Sequence, residues 1–223
     1  MERQLIIGNK NYSSWSLRAW LALVKTGLPF EEILVPLSVP GTRQQLLSLS
    51  PAGKVPALRE GGVVIWDSLA IIERLAEASP GLWPKDGLAR AIARSVSAEM
   101  HSGFAALRTA MPMNCRATGR HVKADEDVRR DIERIQAIWS DCRERFGKNG
   151  PWLFGDFSAA DAMYAPVVSR FHTYGVETSP VVAAYMQTVL DDPDMQRWYA
   201  DAKTEAATIG VSEVGIPNPA FFV

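Results

Sequence analysis

Apolar positions along the first eighty residues recur with two different periods, and the switches between them mark out the elements. Gln4–Gly8 is a short unbroken apolar run, the pattern of a strand buried on both faces. After the polar stretch Asn9–Ser14, residues Leu17, Trp20, Leu21 and Val24 fall at i, i+3, i+4 and i+7, one face of a helix that Gly27 ends. Ile33–Leu37 is a second strand, closed off by Pro36 and Pro40. Thr42 and Gln45 have the spacing of a capping box and open a short helix through Leu49. Val55–Leu58 and Val63–Trp66 flank Glu60-Gly61-Gly62 as a hairpin. Leu69, Ile72, Glu73 and Ala76 then continue a helix that Ser79-Pro80 stops. The order strand–helix–strand, then helix–strand–strand–helix, predicts a small mixed sheet with helices packed on it.

Beyond Pro84 the strand pattern disappears. Leu88 to about Met111 reads as one helix, and Asp125–Phe146 as another with Val128, Ile132, Ile135 and Trp139 on one face. The charge-dense run Lys123–Glu133 is a solvated helix face. Gly147–Gly155 is a loop. Ser158-Ala-Ala-Asp161 is a capping box that opens a buried helix through Phe171, which Pro166 should kink or locally break. Two further helices fill Val181–Leu190 and Asp194–Ala206. Pro80, Gly81, Pro84 and Gly87 place the boundary between the halves. The expected organisation is an α/β domain over residues 1–80, an all-α domain over 87–210, and an irregular tail over 211–223 that is Pro-rich from Gly215.

Composition narrows the class of function. The 223 residues are 47% hydrophobic and 22% charged, which suits a soluble protein with a proper core. A net charge of −1 leaves no electrostatic footprint for nucleic acid. Cys115 and Cys142 form neither a CxxC pair nor a Cys/His metal spacing, so a disulfide scaffold and a metal site are not expected and a reducing compartment is. Leu5-Ile6-Ile7 is too short for a signal-peptide core, and no apolar run reaches membrane-spanning length. A cytoplasmic location is the expectation.

The richest chemistry lies in Ala52–Ser68. Proline at Val55-Pro56 cuts the trans preference to roughly 0.5–1 kcal/mol, making this bond a candidate for cis. A bend there turns the N–H and C=O of Val55 outward, free to pair with an extended peptide as an added strand. Asp67 and Ser68 offer a carboxylate and a hydroxyl beside the free N–H groups of a helix start. Backbone pairing on one side and an amino-acid head group on the other suit a small peptide, for which glutathione is the candidate.

Three motifs in this order resemble the cytosolic glutathione transferases over nearly the whole chain, up to about Ala206. Tyr12-Ser13-Ser14-Trp15-Ser16-Leu17-Arg18 is similar to the serine-type activating loop of the zeta and theta classes. Lys54-Val55-Pro56 with Asp67-Ser68-Leu69-Ala70-Ile71 looks like the glutathione site, and Pro151–Gly155 followed by Ser158–Asp161 resembles the capped helix of the second domain. Trp15 stands where zeta-class members carry cysteine, and Leu17 replaces the family tryptophan. The loop therefore has no thiol for thiol–disulfide chemistry, and serine-type activation survives.

The resemblance implies a thioredoxin-like first domain with a four-stranded mixed sheet, a homodimer, and glutathione as co-substrate. It implies Ser13 as the residue that polarises the sulfur, with Ser14 as the alternative, while Ser16 reads as a helix cap. Lowering a thiol pKa by two units takes roughly 2.7 kcal/mol, which a hydroxyl donor beside a helix N-terminus supplies in large part. Val55 would pair through its backbone, Pro56 would hold the bend, and Asp67 and Ser68 would take the γ-glutamyl head. Lys54, and beside it Arg43, would meet the glycine carboxylate. The electrophile would sit between the domains against Tyr12, His101–Met113 and Met163–Phe171, with Arg108 or Arg170 available to an anionic substrate. His101 reads as a surface or interface histidine. The implied function is glutathione transfer to a small electrophile. The alternatives are a glutathione-dependent isomerase resembling maleylacetoacetate isomerase, or a non-catalytic interaction module of the same fold.

Overall fold

A computed structural model describes residues 2–217. Its main sheet has the order β2-β1-β3-β4, built from β1 (Arg3–Ile7), β2 (Glu31–Leu34), β3 (Ala57–Glu60) and β4 (Val63–Trp66). β1 runs parallel to β2 and antiparallel to β3, with Leu5 opposite both Glu32 and Leu58. As the unbroken apolar run requires, β1 is buried on both faces. Leu5 and Ile7 enter the main core under α1 (Ser14–Lys25) and α3 (Ser68–Ala78). Ile6 packs the other way, with Val35, Leu46 and Ala57 beneath α2 (Thr42–Leu49). Gly61 and Gly62 make the β3–β4 turn with φ of 58° and 83°, values that glycine adopts without steric cost.

The rest of the chain is helical: α4 (Gly87–Ser102), α5 (Ala105–Ala110), α6 (Glu126–Phe146), α7 (Ala159–Tyr174), α8 (Pro180–Asp191) and α9 (Pro193–Thr204). A small second sheet pairs β5 (Arg120–His121) with β6 (Ile216–Pro217). α7 is buried along nearly its whole length and packs on both α1 and α4. It opens with the expected capping box. Ser158 N–H and Oγ donate to Asp161 Oδ2 at 2.8 and 3.0 Å, and Leu153 N–H donates to Oδ1 at 3.1 Å.

Four local expectations are corrected. The stretch 88–111 is two helices: the backbone turns at Gly103, where a Cβ would sit 2.8 Å from the Glu99 carbonyl, and Phe104 takes a left-handed φ of 58° before α5 starts. The Thr42/Gln45 capping box does not form. Gly41 is the N-cap, and the Thr42 hydroxyl turns back to the carbonyls of Pro36 and Val39. α7 runs unbroken through Pro166. The tail is not wholly irregular, because Ile216-Pro217 pairs as a strand; its remainder, 218–223, lies outside the described residues.

The loop after β1 is held by the helical half. Lys10 and Asn11 donate their backbone N–H groups to Glu205 at 2.6 and 3.1 Å, and Trp198 Nε1 donates to the Lys10 carbonyl at 2.8 Å. Asn11 also donates to Asn114 at 3.0 Å. These bonds fix the point from which α1 departs.

Candidate active site

A cavity of about 540 Å³ opens where the β3 entrance and the start of α3 face α4 and α5. Its walls include Lys54, Val55, Pro56, Asp67 and Ser68, with Trp15, Trp66, His101 and Arg108 across from them. Five of the eight candidate site residues therefore line one cavity. The Val55-Pro56 bond is cis, and neither the N–H nor the C=O of Val55 has a partner among the described residues.

Asp67 holds a φ of +75°, a region with few non-glycine residues and a cost of order 1–3 kcal/mol. In this conformation Oδ1 accepts from the N–H groups of Leu69 and Ala70 at 2.9 and 3.2 Å and caps α3. Its Oδ2 lies 3.1 Å from His101 Nε2, an ion pair whenever the imidazole is protonated. Ser68 follows as the first residue of α3. It is only 2% exposed, it lines the cavity, and its hydroxyl has no hydrogen-bond partner among the described residues. A buried hydroxyl left unpaired costs about 1–3 kcal/mol. An acceptor bound at the positive end of this 11-residue helix would satisfy it.

The serine loop differs in detail from expectation. Ser13, not Ser16, is the N-cap, because α1 begins at Ser14. Ser13 Oγ accepts from Ser16 N–H at 3.4 Å and lies 2.7 Å from Ser16 Oγ, which in turn accepts from Gly8 N–H at 3.0 Å. Ser14 Oγ accepts instead from Arg170 Nη2 at 3.2 Å. Both Ser13 and Ser14 are buried, and neither lines the cavity; the wall at this point is the next residue, Trp15. The Trp15 ring lies 4.1 Å from the Arg18 guanidinium and 5.3 Å from that of Arg108, and meets the edge of His101 at 5.3 Å.

Several expected lining residues lie elsewhere. Arg43 sits on the exposed face of α2 and does not reach the cavity, because that helix starts from Gly41 with residues 43–45 turned outward. Tyr12 is tied to the chain's end: its hydroxyl donates to Glu213 at 2.7 Å and accepts from Arg116 at 2.7 Å. Met163–Phe171 is buried core, and Met111 and Met113 are likewise core side chains. Trp15 had no expected role in the site, and His101, at the edge of the expected electrophile wall, read only as a surface or interface histidine. Trp15 stood out only as a substitution, and His101 shows no local signal, since the αL break at Phe104 is invisible in the pattern.

Electrostatically the region behind Trp15 is cationic. Arg18 is fully buried. Its Nε donates to the Met163 carbonyl at 2.9 Å, and its other two nitrogens have no partner among the described residues. Burial pushes its pKa well below the arginine range, and Arg170 and Arg108 push the same way. Burial, then Arg108, lowers Arg170 to about 10. Burial also raises the thiols of Cys115 and Cys142 to about 12, so neither is a nucleophile at neutral pH. Among the described residues no cluster of three or more potential metal ligands occurs.

A thioredoxin-like sheet with a cis-proline edge, a capped helix N-terminus at the same cavity, and an all-helical half beside it define a two-part α/β and all-α fold. Comparison with known proteins gives the family. Residues 12–78 match the glutathione S-transferase N-terminal domain, and residues 125–200 match the C-terminal domain. The chain is 30% identical to a probable maleylacetoacetate isomerase of Caenorhabditis elegans, over 81% of this chain and 86% of that one. It is also 30% identical to the maleylacetoacetate isomerase of Rattus norvegicus, over 75% and 78%. A glutathione transferase homolog from Burkholderia with bound glutathione superposes with a TM-score of 0.68 at 24% identity, covering 92% of this chain and all of the other. The chain belongs to the glutathione S-transferase family.

Proposed function

We propose that this cavity binds glutathione and ionises its thiol for attack on a small electrophile. The observation that carries the reading is the buried, unpartnered Ser68 hydroxyl at the start of α3, facing the unpaired backbone of Val55 across one cavity. Ser68 and the first N–H groups of α3 receive the γ-glutamyl carboxylate, and Asp67 Oδ2 receives the ammonium, which competes there with His101. Val55 pairs through its main chain with the cysteinyl residue, and Lys54 meets the glycine carboxylate. Each contact is a head-group or backbone match that an interaction module has no need to keep.

This placement sends the sulfur toward the N-terminus of α1. There we assign the activating hydroxyl to Ser14. Ser13 Oγ is engaged in the cap and with Ser16, whereas Ser14 Oγ accepts one bond and its own proton has no acceptor among the described residues. The thiol proton leaves to solvent. The remaining thiolate accepts from Ser14 at the positive end of a 12-residue helix. Trp15, Trp66, His101 and Arg108 are left to face the second substrate.

A glutathione-dependent isomerase is the second reading. It is favoured by Arg108, a cation on the cavity wall with no ion-pair partner among the described residues and therefore available to a carboxylate-bearing substrate. A homodimer and a cytoplasmic location complete the proposal. The exposed Val63 of edge strand β4 supplies apolar surface for a second copy, and sedimentation would read the assembly. Ultraviolet difference titration of the bound thiol tests the chemistry. Ser14→Ala should raise its pKa by more than a unit and Ser13→Ala by less, with glutathione still bound. The opposite ranking would return the role to Ser13, and two unmoved values would remove serine activation.

A further inference from the structure

Arg170 is 4% exposed, and all three of its nitrogens are engaged. Nε donates to the Met111 carbonyl at 2.8 Å, Nη1 to the Pro166 carbonyl at 3.1 Å and Nη2 to Ser14 Oγ at 3.2 Å. No carboxylate neutralises it among the described residues. The charged and titratable groups that bear on it are Arg108 from α5, Tyr174 from its own helix and Cys115 from the loop after α5; Arg18 of α1 feels its charge in turn. Its pKa of about 10 keeps it protonated at neutral pH. Buried cations ordinarily meet an anion, and here the outermost bond of the guanidinium ends on a neutral hydroxyl.

A hydroxyl has one proton to give and two lone pairs. A guanidinium donating to Ser14 Oγ occupies one lone pair and polarises the oxygen, which makes the hydroxyl proton a better donor toward the sulfur. We propose that Arg170 is a positioning residue for thiol activation. It holds Ser14 as a hydrogen-bond donor to the glutathione sulfur and acts on the thiol through that hydroxyl. The inference rests on the reading of the cavity as a glutathione site with Ser14 near the sulfur. In the step concerned, the S–H bond breaks and its proton passes to solvent. The sulfur keeps the electron pair and accepts from Ser14; Arg170 exchanges no proton.

A merely structural Arg170 would tie α7 to the 111 carbonyl and leave the thiol alone, and a double-mutant cycle separates the two roles. The bound-thiol pKa is read by ultraviolet difference titration in wild type, Ser14→Ala, Arg170→Met and the double variant. Arg170→Lys stands in if Arg170→Met does not fold. The expected result is a rise of more than one unit for each single change and at most about 0.3 unit more for the double over Ser14→Ala. Arg170→Lys, which retains charge without the fork, should fall between wild type and Arg170→Met. Either Arg170 variant binding glutathione with an unmoved thiol pKa, or adding its full shift on top of Ser14→Ala, overturns the proposal while leaving the site intact. Failure of wild type to bind glutathione, or an unmoved pKa in Ser14→Ala, removes the underlying site and this inference together.

Discussion

Replacing Ser68 with alanine should move stability and affinity in opposite directions. In the free protein the Ser68 hydroxyl is buried and has no partner among the described residues, a condition that costs about 1–3 kcal/mol when desolvation is complete. It is the first helical residue and not the cap, since Asp67 Oδ1 takes the Leu69 and Ala70 N–H groups. Truncation therefore removes no cap, and alanine favours the helix by a few tenths of a kcal/mol. Free Ser68→Ala should be as stable as wild type, or more stable by about 1 kcal/mol, in urea unfolding. Binding should suffer, because a hydrogen bond to a charged carboxylate is worth about 1.5–3 kcal/mol. That is a loss of roughly tenfold to a hundredfold in glutathione affinity by calorimetric titration. A variant destabilised by more than about 1 kcal/mol with unchanged affinity would refute the reasoning, since the hydroxyl would then serve the fold.

Asp67→Asn should keep α3 intact, because asparagine caps helices and tolerates positive φ. Its Tm should stay near wild type while glutathione affinity falls at least tenfold; an unchanged affinity would free the ammonium from this carboxylate. Lys54→Ala should weaken binding severalfold and Arg43→Ala not at all; equal losses would place Arg43 in the site after all. Asp161 is held at about 6, raised from 3.8 by burial against the pull of its Leu153 and Ser158 hydrogen bonds. Its folded pKa lies above its unfolded one, so its contribution to stability is fully present below about pH 4 and is lost as pH rises through 6. The stability advantage of wild type over Asp161→Asn should therefore shrink between pH 4 and 7 by up to about 3 kcal/mol, at 1.36 kcal/mol per unit. An advantage that grows with pH in urea titrations would show that the hydrogen bonds outweigh burial. Neither cysteine should react with an alkylating reagent in the folded state, given pKa values of about 12; rapid labelling of Cys115 would contradict its burial.

What the sequence disclosed and what it hid divide along the range of the interactions. The QLIIG run, the Gly61-Gly62 turn and the Ser158/Asp161 box each state their structure within a few residues, and all three appear in the fold. The bend at the hairpin entrance and the capped start of α3, which meet at one cavity, were legible for the same reason, because a Val-Pro bend and an Asp-Ser helix start carry local geometry. The start of α1 was off by one turn. Three serines in four positions compete for the cap, and the winner is set by Gly8 N–H bonding to Ser16 Oγ. The partners of the site were harder still. Arg170 meets Ser14 across 156 positions, and His101 reaches Asp67 only because α4 packs against α3. Arg43 failed for the opposite reason, since nearness in sequence to the site did not survive the outward turn of α2.

The most direct test of the central claim is a crystal structure of the protein soaked with glutathione. The tripeptide should lie with its main chain paired to Val55, its γ-glutamyl carboxylate on the Ser68 hydroxyl, and its sulfur within hydrogen-bonding distance of Ser14. An empty cavity in crystals bathed in the ligand, or a bound tripeptide whose sulfur points away from the start of α1, would contradict the account.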